Sequence, residues 1–314
     1  MSDVLEQAKK AIPAEIRMIS GCQDRQTSAD VSNVASFGLP DPAGRAGGAL
    51  TSALLNVTYA DHTNTGKDLS YQQTLMQVRE QLKAKNFEQI PQLSSSRPMS
   101  MDTHFDLVPE HMSGTRRAVM IGINYVGQQG ELRGCHNDVL NMKEYLMDVH
   151  GFQEGNIEVL MDDGNHTSPT HANIIAAFAR IVEASQSGDV VFTHYSGHGG
   201  KVKDQDGDEK DGYDETLIPL DYQSAGQIRD DTLFKDLVGK LREGVFATSI
   251  MDCCHSGSVL DLPYVFVADG EDTEMHVAED FDFAPLLNMA QVLLQQQGVP
   301  PQMVALCMDK CSIM

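Results

Sequence analysis

Two short segments of the chain carry the residue types that a thiol-based reaction needs. THYSGHGG, residues 193–200, contains His198, and IMDCCHSG, residues 250–257, contains Cys254. A thiol becomes a strong nucleophile when a nearby imidazole takes its proton, and the resulting imidazolium can protonate a leaving amine. We therefore predict that these two segments supply a cysteine nucleophile and its histidine base, with the backbone amides of Gly199 and Cys254 forming an oxyanion hole.

Both segments directly follow apolar runs that predict buried strands. The chain alternates such runs with patterns of helical spacing, which is typical of an α/β fold whose mostly parallel sheet has helices on both faces. In such a sheet the loops beyond the carboxyl ends of the strands form the binding crevice. A histidine and a cysteine at the ends of neighbouring strands would meet there. Strands are predicted at 116–123, 156–161, 188–195 and 245–252, and helices at 137–150 and 232–242.

Composition excludes some classes of function. The chain has 314 residues and a net charge of −22, and a surface this acidic repels nucleic acid and attracts cationic substrates and divalent metal. No apolar run is long enough to cross a bilayer, and the first residues lack the layout of a secretory signal. We therefore expect a cytoplasmic protein with reduced thiols. The six cysteines are too scattered for a disulfide framework and form no zinc-binding pattern.

The segments around the histidine and the cysteine resemble those of a known family. HYSGHGG and DCCHSGSVLDLPY resemble motifs of the metacaspases, which are caspase-like cysteine peptidases, and so do GINY (122–125), ELRGCHND (131–138) and DGDEKDGYDETLIPLD (206–221). The resemblance implies a caspase-like fold. It also implies that the base is the histidine of SGHG, His198, and that the nucleophile is the cysteine before HSG, Cys254. Core packing is the alternative role for an isolated histidine or cysteine.

The N-terminal part of the chain resembles the small-subunit-like module of the same family. In most metacaspases this module follows the large one, whereas here it comes first, as in the type III arrangement. The segments that carry the resemblance are ISGCQDRQTSADV (19–31), AGGALTSALL (46–55), SYQQ (70–73) and QIPQLSSSRP (89–98). We predict a small-subunit-like module at 1–98, a linker at 99–114, a large catalytic module at 115–265 and an acidic tail at 266–314.

The resemblance implies a primary specificity pocket that contains two carboxylates. Carboxylates in a partly dry pocket favour an Arg or Lys side chain through charge-assisted hydrogen bonds, and they reject Asp. The expected partners are therefore protein or peptide substrates with Arg or Lys at the cleaved position. A carboxylate at a helix N-terminus is the alternative role for Asp138. The implied pocket residues are Cys135, Asp138, Ser196 and Asp252.

Calcium is the predicted cofactor. The acidic segment 204–215 nearly fits an EF-hand loop but has Glu209 where that loop requires glycine, so we reject an EF-hand. The resemblance instead implies a Ca²⁺ site assembled from separated aspartates, whose binding would gather loops and order the substrate groove. A solvated acidic face is the alternative. The matching residues are Asp214, Asp230, Asp231 and Asp261.

The last four residues, CSIM, fit a farnesylation pattern at Cys311. Contact with a membrane is expected only if Cys311 carries a lipid, and a free thiol is the alternative. By resemblance we expect a monomer. Two other functions stay open, namely a catalytically silent caspase-like scaffold and a thiol redox sensor that uses the adjacent Cys253 and Cys254.

Overall fold

The structure is a computed structural model that describes residues 2–21, 49–204, 212–254 and 256–278. Its strands form an eight-stranded sheet and a smaller three-stranded sheet. In chain order the strands are β1 (Glu15–Ser20), β2 (Gln92–Ser95), β3 (Arg116–Gly122), β4 (Ile157–Met161), β5 (Val190–Ser196), β6 (Gly199–Lys203), β7 (Tyr213–Leu217), β8 (Ile228–Arg229), β9 (Phe246–Asp252), β10 (Tyr264–Val267) and β11 (His276–Val277).

Helices connect these strands, and three short 3₁₀ turns lie at Ala60–His62, Glu154–Asn156 and Val238–Lys240. None of the described helices has the length and apolar character needed to cross a bilayer. The helices are α1 (Ser2–Ala11), α2 (Ala49–Thr58), α3 (Tyr71–Ala84), α4 (Cys135–Asp148), α5 (His171–Ala184), α6 (Tyr222–Ala225) and α7 (Asp230–Asp236).

The large sheet has the strand order β11-β10-β2-β1-β9-β5-β3-β4. The five strands from β1 to β4 in this order run parallel to their neighbours, whereas β2 is antiparallel to β1 and to β10. Every residue of β5 and β9 is buried, as expected for central strands covered on both faces. The predicted fold class, a mostly parallel sheet of the caspase-like type, is therefore confirmed.

Alternation along the strands divides the core into two clusters, one on each face of the sheet. Val190 and Phe192 of β5 pack with helices α2, α3 and α4, whereas Val191 and Tyr195 of the same strand pack with α5 and α7. This period of two is the ordinary consequence of a pleated strand. Helices cover both faces, as predicted.

Local sequence explains where two of the helices begin. The Ser70 hydroxyl caps α3 by accepting a hydrogen bond from the Gln73 amide, and the Gln73 side chain accepts one from the Ser70 amide. Together these two bonds form a capping box. Thr170 caps α5 by accepting a hydrogen bond from the amide of Asn173. These caps satisfy amides that a helix cannot pair internally, so the two helix starts are fixed by short-range chemistry.

The predicted modules share one sheet. Strand β1 of the N-terminal module lies between β2 and β9, so residues 15–20 pair directly with the strand that precedes Cys254. The predicted linker at 99–114 has no helix or strand, but its side chains Met101, Phe105, Leu107 and Met112 are buried in the core. The predicted boundary at 265/266 falls inside β10, and the chain stays in the sheet as far as Val277. The acidic composition that follows concealed these short strands.

The smaller sheet is antiparallel, with the order β6-β7-β8. Strand β6 begins at Gly199, directly after His198, and pairs with β7, which contains Asp214. Lys201 and Glu215 face each other across this pair and form a buried ion pair of 2.9 Å. This sheet therefore connects the histidine segment to the predicted calcium ligands.

Candidate active site

The structure brings the histidine and cysteine segments to one edge of the sheet. Strands β5 and β9 are parallel neighbours, and Ser196 lies opposite Asp252 at their carboxyl ends. His198 and Cys254 each follow their strand by two residues, as the sequence predicted. The backbones beyond the strands touch, because a β-carbon added to Gly199 would lie 1.9 Å from the carbonyl oxygen of Cys254. Only glycine fits at position 199.

The His198 imidazole is oriented by contacts around the whole residue. Its Nε2 lies 2.7 Å from the carbonyl oxygen of Gly130, and since a carbonyl only accepts, Nε2 carries the proton. The ring also packs against Tyr125, with 4.6 Å between centroids. The Tyr125 hydroxyl accepts from the His198 amide, and the Tyr195 hydroxyl donates to its carbonyl. The sequence analysis did not identify Gly130 or the two tyrosines.

This orientation leaves the other ring nitrogen to act as a base. Nδ1 of His198 is buried and has no hydrogen-bond partner among the described residues. Burial lowers the pKa of the imidazole and favours its neutral form, an effect that the bond to Gly130 opposes. A neutral ring whose proton sits on Nε2 has a lone pair on Nδ1, which is the form that can take a proton from a thiol.

The two adjacent cysteines occupy different environments. Cys253 is 1 % exposed and belongs to the hydrophobic core, whereas Cys254 is 7 % exposed. Neither forms a disulfide with another described cysteine. The following turn is held from strand β2, where Gln92 Nε2 and Ser94 Oγ lie 3.1 and 3.3 Å from the carbonyl oxygen of Gly257. The N-terminal module thus supports the loop that carries Cys254.

The four predicted pocket residues form one buried cluster beside this edge. The Ser196 hydroxyl donates to Asp138 Oδ2 at 2.9 Å, and the charges of Asp138 and Asp252 act on the buried thiol of Cys135. Burial raises the pKa of the Asp138 carboxyl, and the charge of Asp252 raises it further. Burial likewise raises the pKa of Asp252. Both shifts favour the uptake of a proton in a range where isolated carboxyl groups are ionised.

Cys135 differs from Cys254 in its chemistry. It lies at the start of α4, and its amide donates to the Asn124 side chain at 3.1 Å. Burial raises the pKa of the Cys135 thiol to about 12, so this thiol stays protonated and is no rival nucleophile.

Helix α2 of the N-terminal module completes the pocket. The amides of Leu50 and Thr51, in the first turn of the helix, donate to the two carboxylate oxygens of Asp252 at 3.3 and 2.7 Å. The Ser52 hydroxyl lies 3.5 Å from Asp138 Oδ1. Sequence reasoning used the segment AGGALTSALL only as a mark of resemblance. Its Thr-Ser pair at a helix start is the local signal that indicates a polar role.

Three of the four predicted calcium ligands lie together. Asp214, Asp230 and Asp231 each offer a carboxylate oxygen, and these oxygens lie within 4.8 Å of one another. Arg229 forms an ion pair with Asp214. Hard oxygen donors converging on one point suit Ca²⁺, and the guanidinium shows that the position already attracts a cation. Asp261 lies outside this group, in a left-handed conformation with φ 47° in the loop after Cys254, and its role stays a prediction.

Two predictions lie outside the described residues. Most of the acidic segment that nearly fits an EF-hand, residues 205–211, is not described, and neither is Cys311. The oxyanion role of the amides of Gly199 and Cys254 also stays a prediction.

Comparison with known proteins identifies the family. A model described as metacaspase, peptidase C14 domain matches residues 116–263, and a caspase domain model matches residues 2–100. Metacaspase III c of Phaeodactylum tricornutum is 60% identical over 280 residues, which is 88% of this chain and 83% of that protein. This chain belongs to the metacaspase family. It is therefore a cysteine-type peptidase, and the N-terminal position of its caspase-domain match confirms the predicted type III order.

Fungal relatives match a smaller part of this metacaspase. Metacaspase-1 of Mycosarcoma maydis is 51% identical over 168 residues, which is 53% of this chain and 42% of that protein. Metacaspase-1A of Aspergillus clavatus is 48% identical over 170 residues, which is 54% of this chain and 40% of that protein. The chain thus spans less than half the length of these two relatives.

Proposed function

We propose that this metacaspase is a calcium-dependent endopeptidase that cleaves after Arg or Lys, with Cys254 as nucleophile and His198 as base. The observation that carries the dyad is the tautomer of His198. Its Nε2 proton is committed to Gly130, which leaves Nδ1 to take the thiol proton at the edge where the Cys254 backbone contacts Gly199.

The chemistry follows from these two groups. Nδ1 takes the thiol proton, and the Cys254 sulfur attacks the carbonyl carbon of the scissile bond. The developing oxyanion is stabilised by the amides of Gly199 and Cys254. The imidazolium then gives its proton to the leaving amine, and a thioester remains. Water, deprotonated by His198, attacks the thioester and releases the acid and the free thiol.

The acidic pocket supports a cationic specificity. Asp138 and Asp252 are 4 % and 0 % exposed, and among the described residues neither forms an ion pair with Lys or Arg. An Arg or Lys side chain would bring the missing positive charge and hydrogen-bond donors. An Asp side chain would add a third carboxylate to the same buried space.

The carboxylates near β7 and α7 support a calcium requirement. Asp214, Asp230 and Asp231 would hold the ion, with Asp261 as a further ligand. A bound Ca²⁺ supplies two positive charges that offset the repulsion among these carboxylates. Strand β6 joins this cluster to Gly199, so ordering the small sheet also orders the backbone beside Cys254.

Two alternatives are less well supported. A silent scaffold has no need for an oriented, neutral His198, and membership in a peptidase family favours catalysis. A vicinal redox pair needs both thiols accessible, whereas Cys253 is packed in the core.

An assay of an Arg-containing peptide tests the proposal. We expect wild type and Cys253→Ala to cleave it with Ca²⁺ and not with chelator, and Cys254→Ala to be inactive in both conditions. Equal rates with chelator and with Ca²⁺ would overturn the calcium requirement. Activity in Cys254→Ala would overturn the dyad.

A further inference from the structure

The carboxylate of Asp252 receives hydrogen bonds from one short stretch of helix α2. The amide of Leu50 donates to Oδ1 at 3.3 Å and the amide of Thr51 to Oδ2 at 2.7 Å. Thr51 is completely buried. Each of these bonds favours the ionised carboxylate, in opposition to the burial that favours the protonated one.

Thr51 contacts a buried histidine, His194, that is not part of the proposed dyad. His194 lies on β5, is 1 % exposed, and places Nε2 3.0 Å from the Thr51 hydroxyl oxygen. Burial lowers the pKa of His194 to about 3, so its ring is neutral and carries one proton. Nε2 and the hydroxyl therefore form a buried hydrogen bond, in which either group can donate.

These bonds connect the sheet to the pocket through Thr51. His194 holds the Thr51 side chain, and the Thr51 amide donates to Asp252. The other carboxyl group, that of Asp138, accepts from the hydroxyls of Ser196 on β5 and Ser52 on α2. The two carboxyl groups thus have different donors, since Asp252 accepts from backbone amides of α2.

From this geometry we infer that Thr51 and His194 are positioning residues that hold the amides of α2 against Asp252 and thereby support the preference for a cationic side chain. The inference rests on the proposed function, in which Asp252 belongs to the substrate pocket. It assigns a part of the specificity to the N-terminal module, since α2 lies in that module and Asp252 is the last residue of β9 in the other.

The test compares two peptides that differ only in having Arg or citrulline at the cleaved position. Citrulline has the shape of Arg without its charge, so the ratio of the two kcat/KM values reports charge recognition and is independent of the amount of active enzyme. Thr51→Val removes the hydroxyl that binds His194 and keeps the amide. We expect it to loosen the amide from Asp252 and to lower the Arg-to-citrulline ratio roughly 10-fold, the size of one buried hydrogen bond.

The controls distinguish the effect of losing the hydroxyl from a general disturbance of the fold. Thr51→Ser keeps the hydroxyl, and we expect it to retain the ratio within about threefold of wild type. His194→Leu should lower the ratio, whereas His194→Gln, which retains an N–H donor, should restore part of it. The rate at which iodoacetamide alkylates Cys254 should be the same in all four variants, since that rate reports the dyad alone.

The outcomes are distinguishable. If wild type cleaves both peptides equally, the proposed Arg/Lys pocket is wrong. If wild type prefers Arg but Thr51→Val and His194→Leu keep that preference, or if Thr51→Ser loses it as fully as Thr51→Val, the inference is wrong and the proposed function stands.

Discussion

Among the described residues, two acidic clusters are neutralised in different ways. In the pocket, Asp138 and Asp252 are bound by amides and hydroxyls, and burial raises the pKa of both. In the predicted calcium site, Asp214 is paired with the guanidinium of Arg229, and the buried Lys201–Glu215 ion pair lies on the same small sheet. The two clusters therefore differ in how much positive charge the protein itself supplies to their carboxylates.

In the proposed function the two clusters accept different cations. Neutral donors leave the pocket short of positive charge, so a side chain that brings its own charge and donors is favoured. At the other cluster Arg229 already supplies a charge from within the chain, so an external ion must bring more charge than a guanidinium does. A divalent ion meets that condition. The predictions below are ordered from the largest expected effect to the smallest.

The comparison between the two clusters bears on function only if both clusters support the reaction of the Cys254 thiol. Cys254→Ala removes the nucleophile, and we expect it to lower kcat/KM for an Arg peptide by roughly 10⁴-fold or more. The matched control is Cys253→Ala, which deletes a core thiol and should keep most of the activity. Steady-state cleavage with Ca²⁺ measures both. Loss of activity in Cys253→Ala alone would reverse the assignment of the two thiols.

Neutralising one carboxylate in each cluster separates their roles. Asp252→Asn leaves a pocket without its ionised partner for Arg, and we expect roughly a 100-fold loss in the Arg-to-citrulline ratio. Asp231→Asn should leave that ratio unchanged and raise the Ca²⁺ concentration needed for half-maximal activity. Titration of activity with Ca²⁺ for both peptides measures both effects. If the two variants behave alike, the clusters are not separate.

Arg229 allows the second cluster to be tested without an activity readout. Arg229→Met removes a cation that competes with Ca²⁺ for Asp214, and we expect Ca²⁺ to bind about fivefold more tightly, an effect of the size of a partly exposed ion pair. Calorimetry on the Cys254→Ala background measures this without self-cleavage. Arg229→Lys retains the charge and serves as the control. Weaker binding in Arg229→Met would show that Arg229 supports the site.

The uptake of protons by the two pocket carboxyl groups should also appear in a pH profile of the specificity. Because burial raises the pKa of both Asp138 and Asp252, these groups take up protons as pH falls while ordinary carboxyl groups are still ionised. The pocket then loses negative charge, and we expect the Arg-to-citrulline ratio to fall about threefold or more from pH 8 to pH 6. Asp138→Asn should flatten this dependence. A ratio that is constant over this range in wild type would contradict the raised pKa of these two carboxyl groups.

The sequence predicted the elements that depend on local pattern. The apolar runs before His198 and Cys254 are strands β5 and β9, and they are neighbours as expected. The helix predicted at 232–242 is shorter, since α7 spans Asp230–Asp236 and is followed by a 3₁₀ turn at Val238–Lys240. Short edge strands such as β11 have too few residues to show a period.

The parts of the site that the sequence did not predict depend on contacts between distant segments. The bonds from Thr51 to Asp252 and from His198 to Gly130 join residues that no spacing rule relates. One partner in each bond is a backbone group, an amide or a carbonyl, and such groups have no signature in the residue type. Carboxylates, thiols and imidazoles can be found by type, whereas the donors and acceptors that orient them require the fold.

The central claim is that Cys254 attacks a substrate whose Arg or Lys side chain occupies the acidic pocket. A peptide ending in an Arg chloromethyl ketone tests this directly, because an activated thiolate displaces chloride and the labelled residue is then located by mass spectrometry. We predict that the label is on Cys254, depends on His198 and is not formed with the matching Asp reagent. Labelling of Cys253 or Cys135 instead, or equal labelling by the Asp reagent, would contradict the account.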